Sequence, residues 1–117
     1  MLVGLVGPQV VKNLGASKTK TARIQIEELV SALDMYKLDT GQYPNSNQGL
    51  NALVVQPSES LNWNGPYLRK DKVPLDPWNN AYRYDIPGSH ADFDLYSFGL
   101  DNKEGGQAEN QDIHNWD

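Results

Sequence analysis

The residues richest in ligand chemistry run from Phe98 to Asp112: Phe98-Gly99-Leu100-Asp101-Asn102-Lys103-Glu104-Gly105-Gly106-Gln107-Ala108-Glu109-Asn110-Gln111-Asp112. Carboxylates, amides and glycines crowd together there, and that is hard-cation chemistry. Calcium gathers about 6–8 oxygens from carboxylates, amide side chains and backbone carbonyls, and glycine lets the backbone bend until several carbonyls point inward. Asp101 and Asp112 bracket Gly105-Gly106. If Asp101 opened an EF-hand loop, Gly106 would fall on the required glycine, but Lys103 would occupy the third ligand position and no helices flank the segment. The loop is therefore not an EF-hand. On composition alone the balance falls on a solvated polar tail. Ile113 and Trp116 stand against that reading, because a solvated tail has no use for them, and they point to a segment pinned to the body of the protein.

No catalytic set emerges elsewhere. The two histidines, His90 and His114, lie in an expected turn and in the polar tail, with no serine and acid spaced as a hydrolytic triad. The glycines Gly4 and Gly7 sit in an apolar start and lack the spacing of a phosphate-binding loop. Without cysteine there is no thiol nucleophile, disulfide or sulfur-ligated metal, although the compartment stays open. The expectation is a chain that is not an enzyme. With 15 acidic against 10 basic residues and a formal charge of −5, it is also poorly suited to the phosphate backbone, so nucleic acid is not expected as a partner.

The elements that would hold such a loop are few. At 117 residues the chain is expected to form one domain, burying roughly two-thirds of its unfolded surface in a single core. Residues 12–40 contain no proline and carry Ile26, Leu29, Val30, Leu33 and Tyr36 on one helical face, the pattern of a long amphipathic helix. Lys12, Lys18, Lys20 and Arg23 make its first half basic, and Glu27, Glu28 and Asp34 make its second half acidic. Such a helix suits an anionic membrane surface, an acidic neighbour, or simply water. Gly41 and Tyr43-Pro44 end it.

Residues 41–80 read as a short helix capped by Ser46, with Leu50, Leu53 and Val54 inward and Pro57 at its end, followed by loop in which Trp63 lies over the core. In 81–98, Tyr82, Tyr84 and Ile86 share one side, Pro87-Gly88 breaks the strand, and Phe93 and Leu95 face opposite to Tyr96 and Phe98. This is an antiparallel hairpin. The fold class is α+β, a long helix packed on a small antiparallel sheet, with 99–117 as the loop and C-terminal segment. The apolar residues 1–11 are too short to cross a bilayer. They read either as the end of a longer hydrophobic helix or as a terminus packed on the domain.

The run Ala32-Leu33-Asp34-Met35-Tyr36-Lys37-Leu38-Asp39-Thr40-Gly41-Gln42-Tyr43-Pro44, followed by Gln48-Gly49-Leu50, Gly65-Pro66-Tyr67-Leu68, Pro74-Leu75-Asp76-Pro77-Trp78, Tyr96-Ser97-Phe98-Gly99 and Asp112-Ile113-His114-Asn115-Trp116, resembles the major pseudopilins of bacterial type II secretion systems. The pieces span nearly the whole chain in order. The resemblance implies a pilin-like fold and a periplasmic subunit that self-assembles into a helical filament. That filament works with minor pseudopilins, an inner-membrane platform and an outer-membrane secretin to export folded proteins. It also implies that residues 1–11 end a hydrophobic helix anchored in the inner membrane, with the leader and cleavage site lying upstream. A calcium ion is implied in the C-terminal loop, with Asp101 and Asp112 as side-chain ligands and Phe98 and Lys103 as carbonyl ligands. Glu109 and Gln111 are further candidates, Gln111 standing where an aspartate is common in the family. Asp76-Pro77-Trp78 is expected to be structural. The alternatives are a type IV pilin or minor pseudopilin, and a free-standing extracellular calcium-dependent binding module that uses Trp63 and Tyr67.

Overall fold

A computed structural model describes residues 8–106 and 110–116. Helix α1 spans Pro8–Thr40, 33 residues, and so begins before the expected residue 12. Proline is at home in a first helical turn, where its missing N–H would have no partner and its fixed φ already suits the helix. The other end closes locally. Gly41 takes φ +92° and its N–H donates to the Lys37 carbonyl at 2.7 Å, while the Thr40 hydroxyl donates to the carbonyls of Tyr36 and Gln42.

The apolar stripe of α1 enters the core as its spacing requires. Ile26, Leu29, Leu33 and Tyr36 are at most 2% exposed, joined by Ala22 and Ala32, whereas Val30 lies at the margin. The opposite face leaves Ile24, Met35 and Leu38 exposed. Among the side chains described, which begin at Ala16, Ala22 is the first that is buried along the helix. Among the described residues, no helix is long and apolar enough to cross a membrane.

The short second helix reduces to a single 3-10 turn, Leu50–Leu53, with Leu50, Ala52 and Leu53 buried. Ser46 does not cap it. The residue before the turn is Gly49, without a side-chain capping bond, and the Ser46 hydroxyl instead donates to the distant Ile86 carbonyl at 3.2 Å. Trp63 packs at the edge of the core, its indole N–H held by the Ala52 carbonyl at 2.7 Å.

Three strands follow: β1 Arg83–Asp85, β2 Asp94–Ser97 and β3 Ile113–His114, in the antiparallel order β1-β2-β3. Tyr84 pairs with Leu95, and Ser97 with Ile113. Tyr82, Phe93, Leu95 and Ile113 meet the helix stripe in one cluster. The hairpin is thus extended by a third strand built from the polar C-terminal segment. In the connection between β1 and β2, a Cβ on Gly88 would lie 2.4 Å from the Ala91 carbonyl oxygen, so only glycine fits.

Tyrosine hydroxyls fasten the loops to this frame. Tyr36 bonds Ser60 at 2.5 Å, Tyr43 donates to Asp34 at 2.9 Å, Tyr67 to Asp39 at 2.7 Å and Tyr84 to the Pro44 carbonyl at 2.7 Å, while Tyr82 bonds Gln25. Each ring contributes buried apolar area, and its hydroxyl finds a partner at the core margin. Burial and then the hydrogen bond to the Asp34 carboxylate raise the Tyr43 hydroxyl to about 12.

Candidate functional site

The oxygen-rich loop leaves β2 through a tight turn. Ser97 is 1% exposed, and its hydroxyl accepts the Gly99 N–H at 3.1 Å. Gly99 takes φ +78°, its carbonyl accepts the Asn102 N–H at 3.2 Å, and the Asp101 carboxylate accepts the Lys103 N–H at 3.1 Å. The last is a local Asx turn that orders an exposed aspartate through its own backbone. Arg83 of β1 lies over the Phe98 ring at 4.3 Å and donates to the Asn102 side chain at 3.3 Å.

Across the loop, Asp112 accepts the Gly105 N–H on Oδ2 at 2.9 Å. Its side chain is 11% exposed, and its other oxygen, Oδ1, is buried with no hydrogen-bond partner among the described residues. A buried carboxylate oxygen left in that state carries a desolvation cost. Gly106 is pinched against Asn110, where a Cβ would come within 2.5 Å of the Asn110 carbonyl oxygen. Arg23 of α1 borders the same hollow as Gly105, Gly106, Gln111, Asp112 and His114.

Of the ligand candidates, Asp101 opens the loop, and Phe98 stands at its entrance. Lys103 and Gln111 are exposed along it, and Asp112 is half enclosed at its end. Glu109 lies outside the described residues. Among the described residues, no three His, Cys, Asp or Glu side chains are grouped to hold a metal.

The C-terminal segment is clasped to the sheet by Trp116, as its sequence suggests, and by Asn115 and His90, which sequence reasoning did not single out. Asn115 accepts the Leu95 N–H at 2.9 Å and donates its amide to the Phe93 carbonyl at 3.0 Å, while its own N–H donates to the Leu95 carbonyl. Trp116 is sandwiched between His90 at 4.0 Å and His114 at 4.1 Å, with Tyr96 edge-on. His90 in turn contacts Asp94 at 3.1 Å. Burial pushes the Asp94 carboxyl up, but the Ser89 N–H and the ring and backbone of His90 outweigh it and hold the carboxyl below its usual range. The hydrogen bond to Asp85, followed by burial, raises the Tyr96 hydroxyl to about 12. The Ile113/Trp116 spacing signals the docking, whereas Asn115 carries no local mark.

A long N-terminal helix, a three-stranded antiparallel sheet packed on its second half and a glycine-bent loop closed by a C-terminal strand make a pseudopilin. The chain belongs to the family described as type II secretion system, protein G, whose model matches residues 9–116. It is 47% identical to the type II secretion system core protein G of Pseudomonas aeruginosa over 121 residues, covering 100% of this chain and 84% of that protein. Identity to the Vibrio cholerae core protein G is 41%, covering 99% of this chain and 83% of the relative. The crystal structure of the major pseudopilin from the type 2 secretion system of enterohaemorrhagic Escherichia coli superposes with a TM-score of 0.76 at 35% identity, covering 95% of this chain and 96% of the other.

Proposed function

We propose that this pseudopilin acts in the periplasm as the repeating subunit of a secretion filament, joining other copies head to tail. In this reading a hydrophobic N-terminal helix anchors the subunit in the inner membrane. Minor pseudopilins, the inner-membrane platform and the outer-membrane secretin are its partners, and growth of the filament drives folded proteins outward. Its role is structural. The observation that carries the proposal is the charge order on the solvent side of α1, where exposed Lys20 and Arg23 precede exposed Glu27, Glu28 and Asp34. Displaced along a filament axis, the acidic half of one copy faces the basic half of the next, a heterologous contact that repeats without closing.

The test is charge reversal in the full-length subunit. Arg23→Glu and Glu28→Lys are expected each to abolish filaments and secretion, and in Glu28→Lys the folded head is expected to keep its melting temperature. Normal filaments and secretion in both variants would refute the contact.

Calcium belongs to the same proposal as the fastening of residues 99–112. The fit rests on Asp112 Oδ1, a buried carboxylate oxygen without a hydrogen-bond donor among the described residues, at the end of a loop bent by positive-φ residues at Gly99, Asn102, Gly105 and Gly106. Asp101 and Asp112 would hold the ion through their side chains and Phe98 and Lys103 through their carbonyls, with Glu109 and Gln111 as further donors. When bound, it supplies positive charge and coordination to the Asp112 oxygen that has no donor among the described residues.

A further inference from the structure

We infer that Asp76 and Ser97 form a buried relay that aims the Phe98 carbonyl into the C-terminal loop, making them positioning residues for the cation. The inference rests on the calcium reading above and extends it into the core, to two side chains that coordinate nothing. Asp76 is 3% exposed and fully engaged. One carboxylate oxygen accepts the N–H groups of Trp78 at 3.0 Å and Asn80 at 2.9 Å, and the other accepts the Ser97 hydroxyl at 2.8 Å. The Asp76 N–H donates to the Asn80 carbonyl at 2.8 Å, which ties the Asp76-Pro77-Trp78 turn into a closed unit. With its proton committed to Asp76, the Ser97 hydroxyl can present only lone pairs to its other neighbour, the Gly99 N–H at 3.1 Å.

That last bond has a consequence for the loop. The Gly99 N–H and the Phe98 C=O belong to one planar peptide unit, and this unit is trans, because the cis bonds among the described residues both precede proline. In a trans peptide the N–H and C=O point in opposite directions. Holding the N–H on the buried Ser97 hydroxyl therefore turns the Phe98 carbonyl away from that hydroxyl. A buried hydrogen-bonded carboxylate is an expensive way to brace a turn that polar solvent could satisfy, and aiming a carbonyl gives it a purpose.

The experiment measures calcium affinity by titration calorimetry on the folded chain, at a temperature where each variant is native. Ser97→Ala frees the Gly99 peptide and is expected to bind calcium roughly three- to tenfold more weakly, the equivalent of one hydrogen bond. Leu53→Ala, in the 3-10 turn, is expected to lose stability but keep parental affinity, separating positioning from general weakening. Hydrogen exchange of the Gly99 amide in the metal-free parent is expected to be slow, a readout that needs no variant. Parental affinity in Ser97→Ala, or a fast-exchanging Gly99 amide, overturns the inference alone. A parent that binds no calcium overturns the calcium reading and the inference with it.

Discussion

Replacing Asp112 by alanine should matter with calcium and hardly at all without it, and the size of the difference follows from the loop geometry. In the metal-free protein the carboxylate gains one hydrogen bond from the Gly105 N–H, which is exposed and can turn to water if the partner is removed. Against that gain stands the buried Oδ1, without a donor among the described residues, whose desolvation costs about 1–3 kcal/mol. The two nearly cancel, so Asp112→Ala should melt within a few degrees of the parent in chelator. With calcium the parent gains RT ln(1 + [Ca]/Kd). For an extracellular-type site with Kd of about 0.1–1 mM, about 10 mM calcium contributes roughly 1.4–2.7 kcal/mol. In a domain of this size that raises the melting temperature by roughly 4–16 °C. The assay is thermal unfolding followed by circular dichroism in calcium and in chelator, for both proteins. Only the parent should respond to calcium. An equal calcium shift in Asp112→Ala, or none in the parent, would refute the reasoning. A large loss in chelator alone would show the carboxylate to be purely structural.

Two further outcomes are expected. Asn115→Ala removes two hydrogen bonds and leaves the Leu95 N–H of the central strand without its acceptor, a loss of about 2–4 kcal/mol in urea unfolding at unchanged m-value. Asn115→Asp, which keeps the acceptor, should lose less. At alkaline pH the raised hydroxyls of Tyr43 and Tyr96 hold their protons to about 12, whereas in the unfolded chain they release them near 10.0. Stability should be steady below pH 10 and decline between about 10 and 12, with Tyr43→Phe and Tyr96→Phe each flattening the decline in denaturant titrations across that range.

The helix and the hairpin were legible because their signals are local. Ile26, Leu29, Leu33 and Tyr36 repeat at helical spacing and are buried together, and Tyr82 and Tyr84 alternate with exposed Ala81, Arg83 and Asp85. What escaped depends on partners distant in sequence. Ser46 looks like a helix cap, but its hydroxyl reaches Ile86, forty positions away, and only a 3-10 turn remains. Strand β3 is two residues long, too short for any alternation to show, and it exists because β2 offers it an edge and Asn115 seals it. Asp76-Pro77-Trp78 could be read as a turn, yet its bond to Ser97 is tertiary and leaves no trace in spacing. For the loop, composition shows only an oxygen-rich segment, and the ion is what the resemblance implies. The buried oxygen of Asp112 became visible only in three dimensions.

The segment between Gly99 and Asp112 is held at both ends, by the Ser97 bond on one side and by strand β3 with Asn115 on the other. Its interior is therefore a closed loop, and the entropy of closing a flexible loop grows only with the logarithm of its length. Doubling it costs about 0.6 kcal/mol. Losing a single buried methylene from the core costs about 0.8 kcal/mol by comparison. Insertions and deletions in the middle of this loop are thus expected to cost the fold less than trimming one carbon from Leu33.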